Sequence, residues 1–300
     1  EDTRNDIISG SERGTVVIPL ANTDYGPKGS FIRITAEGLD AAKAYLGYSV
    51  YESDPANNML LIREAFKGAN SVIVYICTEG TAAASAVGGG LSATAKYKGA
   101  RGNALSYAVL TNPAGGFDVE VYLDGSRIET FEEITTAAEL ADSAWISFTA
   151  NGAAGLVATA GVQLTGGTSA TTTNNDVTDF LDATEGVSFN TIAFPFTEAT
   201  LQAALKTKIK YMREKVGRGV QGVAPNFSTA DYDGIINVTN SYAIGDSELT
   251  TVQAVAYVAG ITAGASNVTS NTYKIVEGAT GVVGLKTHEE AVAAINAGQF

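Results

Sequence analysis

Residues 71–77 read SVIVYIC, a continuous apolar, β-branched run with no polar alternation. A strand that faces water on one side alternates; an unbroken run of this length fits a strand covered on both faces, the habit of parallel sheets flanked by helices. Working outward, residues 15–20 (TVVIPL) form a second such run after Arg13-Gly14. Between the two, Gly26-Pro27 with Gly29 marks a turn. Residues 39–46 then read as a helix with Leu39, Ala42 and Leu46 on one face. Asp54-Pro55 predicts a second helix, with Asp54 as N-cap and Pro55 at its first position. Met59, Leu61, Ile62 and Phe66 supply its apolar face and Gly68 its stop. Strand, helix, helix, strand over the first 80 residues is an α/β pattern.

The texture changes at residues 81–90 (TAAASAVGGG), small and flexible, a linker by composition. From 91 to about 164 the period is mostly two. DVEVYL (118–123) alternates cleanly, Asp124-Gly125 signals a hairpin turn, and 126–131 returns. Residues 145–148 are a further strand candidate and 136–141 a short helix. Residues 166–175 (GGTSATTTNN) read as a second linker.

Helical texture then resumes. A helix is expected near Asp176 and a strand at 191–196, followed by a long helix from a Thr197 cap to Val216 with Leu201, Leu205, Met212 and Val216 as its stripe. Strands are expected at 220–224 and 235–238. Asp246 or Ser247 is expected to cap a helix built on Val252, Val255, Ala256 and Ala259. Thr287 with Glu290 forms a capping box for the last helix. The expected organisation is an α/β core domain, discontinuous over 1–87 plus 171–300, with a β-rich, sandwich- or barrel-like domain inserted at 88–170.

Composition excludes several classes. The 300 residues carry 19 Lys+Arg and 32 Asp+Glu, a formal charge of −13, which disfavours attraction to nucleic acid or anionic membranes. One cysteine, Cys77, permits neither an internal disulfide nor a cysteine zinc site. No apolar run is long enough to span a bilayer; the best, 252–264, is short and holds Gln253. No signal-peptide pattern is visible, although Glu1 rather than Met opens the chain and leaves room for a trimmed leader. A reducing, cytoplasmic site of synthesis is the expectation.

Searches for catalytic chemistry find little. His288 is the only histidine, and no Ser, Cys or Thr follows it, so only the order Ser…Asp…His remains open for a triad. No G-x-S-x-G elbow accompanies it. Gly217-Arg218-Gly219-Val220-Gln221-Gly222 matches G-x-G-x-x-G, yet it follows a helix and leads into a strand, the reverse of the dinucleotide context, and reads as a helix stop. Asp231-Tyr232-Asp233-Gly234 resembles the start of a calcium loop, but its glycine comes early and Ile235 stands at the fifth position. Asp176, Asp179, Asp182 and Glu185 fall three apart and read as a solvated helix face favoured near an N-terminus. Asn226, Asn237 and Asn267 head chance glycosylation sequons. No cofactor and no metal is called for.

One charge concentration stands out. Lys206, Lys208, Lys210, Arg213, Lys215 and Arg218 crowd thirteen residues of an acidic chain. Lys206, Lys210 and Arg213 share a face at i, i+4, i+7 and are the candidate interface residues. Two readings stand: a solvated helix end whose cations complement the dipole, and a docking patch for an acidic surface such as that of a neighbouring copy.

The order of segments resembles the contractile tail sheath proteins of tailed phages, prophages and phage-tail-like bacteriocins. Arg13-Gly14-Thr15-Val16-Val17-Ile18-Pro19 followed by Gly26-Pro27 is similar to the family's opening motif, with Tyr25 where Trp is usual. Tyr97-Lys98-Gly99-Ala100-Arg101-Gly102-Asn103 resembles its Y-x-G-x-x-G-N turn. Residues 250–265 (TTVQAVAYVAGITAGA), then Thr272-Tyr273-Lys274, resemble its long helix and following strand. The resemblance implies a subtilisin-like α/β core without protease activity, carrying the inserted β domain. It implies partners that are other copies joined through terminal arms, a tail tube protein and a baseplate, but no nucleic acid and no membrane. It places the chain in the virion, assembled in the host cytoplasm. Family members usually have a longer N-terminal arm than residues 1–12 and continue past 300, so the chain looks shortened and is expected to be a monomer or weak oligomer by itself. A hydrolase and a secreted or surface binding module with an α/β scaffold are the rival readings; a type VI secretion sheath is a variant of the tail-sheath reading itself.

Overall fold

The first strand, β1 (Thr15–Leu20), is buried at all six positions. In this computed structural model, the structure describes residues 14–140, 143–151, 155–266, 268, 270–272 and 274–298; Arg13, residues 1–12, Ala141, Asn267, Tyr273 and Phe300, named above, lie outside the described residues. The turn through Gly26 holds φ +128°, which glycine adopts without a Cβ penalty. It leads into β2 (Phe31–Thr35), a strand that the hydropathy pattern does not announce; Arg33 in it reaches the Ser71 hydroxyl at 2.9 Å. Helix α1 (Leu39–Leu46) ends on left-handed Gly47. Helix α2 (Asn58–Phe66) begins later than Pro55. Residues 54–57 turn first, and the Asp54 carboxylate accepts from the Asn58 and Met59 N–H groups at 3.0 and 2.8 Å. The cap is therefore Asp54 in chemistry but not in position, because a free helix N–H needs an oxygen within reach and not an adjacent residue. Strand β3 (Ser71–Ile76) is again buried throughout.

The middle of the chain is antiparallel: β4 (Leu91–Ala95), β5 (Leu105–Thr111), β6 (Phe117–Leu123), β7 (Ser126–Ile134), β8 (Ile146–Ala150) and β9 (Thr159–Gln163). They form a four-stranded sheet, β7-β6-β5-β9, and a β4-β8 pair. Leu91, Leu105, Tyr107, Val119, Val121 and Ile146 meet in their shared core. Asp124 and Gly125 both have positive φ, as the two-residue hairpin turn requires. The expected short helix at 136–141 is a single tight turn at Ala137–Leu140. The two segments that composition marks as flexible linkers are paired where they meet: Thr81 bridges Thr168, and Ala84 bridges Thr165, the residue just before the second segment. The approach is so close that a Cβ on Gly80 would lie 1.6 Å from the Thr168 carbonyl. The small residues there serve backbone contact, not looseness.

The last part runs α3 (Asn174–Ala183), β10 (Thr191–Ala193), α4 (Ala199–Glu214), β11 (Gln221–Pro225), β12 (Ile235–Val238), β13 (Ser241–Ile244), β14 (Ser247–Leu249), α5 (Thr251–Gly264), β15 (Gly281–Val283) and α6 (His288–Asn296). Thr173 caps α3, with Asp176 as its reciprocal partner. Glu198, not Thr197, precedes α4, and no side chain caps it; Leu201, Leu205 and Met212 are buried as expected, with Ile209 beside them. Val216 lies past the helix end and is exposed. Ser247 does not cap α5 but pairs in β14 with β13; Thr250 and Gln253 make the capping box instead. Thr272 and Lys274 are not in a strand, and the strand that follows α5 is β15. Thr287 and Glu290 cap α6 reciprocally.

The main sheet has the order β12-β11-β10-β1-β3-β2, parallel except for β2. Side chains of β1 alternate between its faces. Val16, Ile18 and Leu20 pack with α2 and α5, and Val17 packs with α3 and α4. The result is a mixed α/β structure together with a β-sandwich.

Candidate functional site

Helix α4 aims its cations along three directions. Lys206 donates to the Thr229 carbonyl at 2.9 Å. Arg213 donates to the Val220 carbonyl at 3.1 Å and pairs with Asp233 at 3.1 Å. On the other flank Lys208 pairs with Glu185 and, at 3.5 Å, with Asp182. Arg218 donates to the Glu185 and Val187 carbonyls and lies over the Phe189 ring. Only the crest is left: Lys210 is exposed, with Glu214 no nearer than 4.0 Å, and Lys215 is exposed with no ion pair among the described residues. Of the candidate interface trio, the structure uses Lys206 and Arg213 to tie α4 to the ends of β11 and β12, and Lys210 alone faces outward. Asp182 and Glu185 serve Lys208, and Asp176 serves Lys28 at 2.7 Å, so three of the four acids in the series are ion-pair partners, while Asp179 is exposed.

A cleft of about 540 Å³ opens at the C-terminal ends of β1 and β10. This is the switch point of the sheet, where successive connections leave to opposite faces and where open α/β sheets bind ligands. The N-cap residues Asn57, Thr173, Glu198 and Thr250 all line it. Among the described residues Glu198 is the only charged side chain in its walls, which are otherwise apolar, amide or hydroxyl groups. His288 is exposed in the first turn of α6. Cys77 is buried and burial pushes its thiol up to about 12, which keeps it protonated and inert. Among the described residues no three His, Cys, Asp or Glu side chains are grouped to hold a metal ion. The G-x-G-x-x-G match turns on left-handed Gly217 and runs directly into β11.

The motifs Tyr25-Gly26-Pro27 and 97–103 meet at one joint. Tyr25 packs edge-on to Tyr97, with ring centroids 5.5 Å apart. Arg101 pairs with Asp124 through two bonds, of 3.0 and 2.6 Å, donates to the Gly47 carbonyl and lies 4.3 Å over the Tyr48 ring. Tyr48 donates to Asp24 at 2.6 Å; burial raises the pKa of Asp24, and the Tyr48 bond partly offsets it. Asn103 donates to and accepts from Gly167, both at 2.8 Å, clamping the returning segment. Residues Asp24 and Tyr48 carry no sequence signal for this role; they are placed by the turn that Arg101 occupies.

Comparison with known proteins bears on nearly the whole chain. A family model described as the phage tail sheath protein β-sandwich domain matches residues 78–174, and one described as the phage tail sheath protein central domain matches 170–300. A sheath tail protein from Desulfitobacterium hafniense is 37% identical with a TM-score of 0.83, the match covering 96% of this chain and 68% of that one. The chain belongs to the phage tail sheath family. A Listeria innocua sheath tail protein superposes on this sheath protein with a TM-score of 0.86 at 35% identity, covering 96% and 64% of the two chains. Two Bacillus subtilis (strain 168) proteins are also similar. The phage-like element PBSX protein XkdK is 36% identical over 99% of this chain, and the uncharacterized protein YqbK is 35% identical over the same share. The sheath protein spans about two thirds of the length of these curated relatives, 66% in each case. It is a structural protein and not an enzyme.

Proposed function

We propose that this chain is a subunit of a contractile tail sheath that polymerises helically around a tail tube and contracts to drive the tube through a host envelope. The reading rests on one observation: two sheath-family domains run end to end across residues 78–300, with relatives similar over nearly the whole chain. Its partners are other copies of itself through terminal arms, a tail tube protein and a baseplate, and its place is the virion after assembly in the host cytoplasm. The core is organised from residues 1–87 plus 171–300 in a subtilisin-like arrangement, carrying 88–170 as an insertion. The tight joint at Arg101 and the α2–α5 crossing supply the rigidity a subunit needs when many small interface differences drive a bistable lattice. Negative-stain electron microscopy of the full-length gene product, expressed with its candidate tube protein, tests this. Tubes or stacked rings are expected; monodisperse monomers alone would remove the sheath reading.

A further inference from the structure

Residues 206–218 hold six cations and one acid, Glu214, while residues 117–140 hold seven acids and one base, Arg127. Most of these charges are consumed inside the chain. On the acidic side Asp118 takes Asn112, Glu120 takes Arg127 and Tyr122, Asp124 takes Arg101, Glu129 takes Ser143 and Glu139 takes Thr135 and Thr136. Glu132 and Glu133 remain, exposed and without an ion pair among the described residues. They sit where β7, an edge strand, bulges: Phe117 pairs with Ile134 and Val119 with Phe131, so one extra residue stands outside the ladder. Glu133 is held in left-handed backbone (φ +56°), a conformation glutamate rarely adopts, with its N–H on Asp118 at 3.1 Å. Charges on an edge strand also guard it from pairing, but that task does not need the bulge to present two carboxylates side by side.

We propose that the crest of α4 at Lys210 and Lys215 binds the bulged edge of β7 at Glu132 and Glu133 of a second copy. The inference deepens the sheath reading and rests on the chain's self-association. No ion pair among the described residues joins the two surfaces within one chain. Tyr211 and Val216, 44% and 48% exposed, flank the lysines and supply apolar area to a contact otherwise made of charge. Because the two surfaces differ, the contact is heterologous, the kind that builds rings or helical filaments and not closed two-fold dimers. Opposite potentials set its register and make it sensitive to salt.

The test mixes unlabelled and ¹⁵N-labelled chain at about 20 mM salt, couples carboxylates to amines with a carbodiimide, and maps the links by mass spectrometry. Isotope-mixed links from Lys210 or Lys215 to Glu132 or Glu133 are expected, falling at least about ten-fold near 500 mM salt as screening sets in. In sedimentation velocity, K210E/K215E and E132K/E133K are each expected to lose association, and their equimolar mixture to regain it through paired reversed charges. E132Q/E133G removes the same charges while giving the left-handed position the residue it favours, and is expected to lose association with an unchanged melting temperature. Absence of mixed links, association of either variant at the level of the parent, or failure of the mixture to reassociate would overturn the proposal. Electron microscopy separates it from the sheath reading: tubes that persist in K210E/K215E remove this contact alone, whereas absence of tubes from the parent gene product removes the sheath reading.

Discussion

Tyr25 lies stacked on Trp145, with ring centroids 6.1 Å apart and planes inclined by 27°. Tyr25 follows the central strand of the parallel sheet, and Trp145 leads into β8 of the sandwich. The tyrosine is thus the plug by which one core reaches into the other, 2% exposed. Its hydroxyl adds only a long bond of 3.4 Å to the Trp145 carbonyl. Burial of the ring, not the hydroxyl, carries the joint.

Accordingly Tyr25→Phe is expected to cost less than about 1 kcal/mol, and Tyr25→Ala about 3–5 kcal/mol, as for other large aromatic truncations. Urea unfolding of both variants, followed by Trp145 fluorescence, measures the difference. A loss in the phenylalanine variant equal to that in the alanine variant would contradict the account.

Helices α2 and α5 touch through backbone. A Cβ on Gly260 would lie 2.2 Å from the Ala65 carbonyl, and one on Gly264 would lie 2.0 Å from that of Gly68. Alanine is the better helix former by about 1 kcal/mol, yet Gly260→Ala is expected to destabilise by about 2 kcal/mol or more, because overpacking against main chain cannot be relieved by a rotamer change. Gly186→Ala, with open space around it, should stay within about 1 kcal/mol. Thermal melts of the pair compare the two.

Asp176 offers a pH test. Burial raises its carboxyl, but the Lys28 ammonium and Thr173 outweigh that and hold it at about 2. A depressed folded-state pKa stabilises above the unfolded value near 3.9 and is lost as pH falls through the folded value. The stability difference between the parent and Asp176→Asn should therefore be full at pH 6, shrink below about pH 4 and be largely lost once the pH falls below about 2. Denaturant midpoints across that range read it directly.

Cys77 is 1% exposed, with its thiol pushed up to about 12 by burial. A thiol reagent at pH 8 should leave it unmodified in the folded chain and label it at the rate of unfolding. Labelling that is fast without denaturant would mean that the end of β3 opens locally.

What could be read from the chain was what neighbours in sequence decide. The runs at 15–20 and 71–76 became interior strands because their apolar residues do not alternate with polar ones; the polar residue that opens each, Thr15 and Ser71, is hydrogen-bonded to the other at 3.0 Å. The Asp124-Gly125 turn and the Thr287–Glu290 box formed because their hydrogen bonds and dihedrals are local. Only the tertiary structure decided the rest. Asp54 caps a helix that starts beyond an intervening turn, and Ser247 joins a strand because β13 lies beside it. The 81–90 and 166–175 segments pair because distant backbone comes within reach. Composition likewise showed a cationic helix, but which of its cations stay free depends on Thr229, Asp233, Glu185 and Asp182, each brought close from another element. Periodicity and capping are set within a few residues, whereas the partner of a charge or a carbonyl is chosen by the fold, whose packing energy exceeds any single local preference.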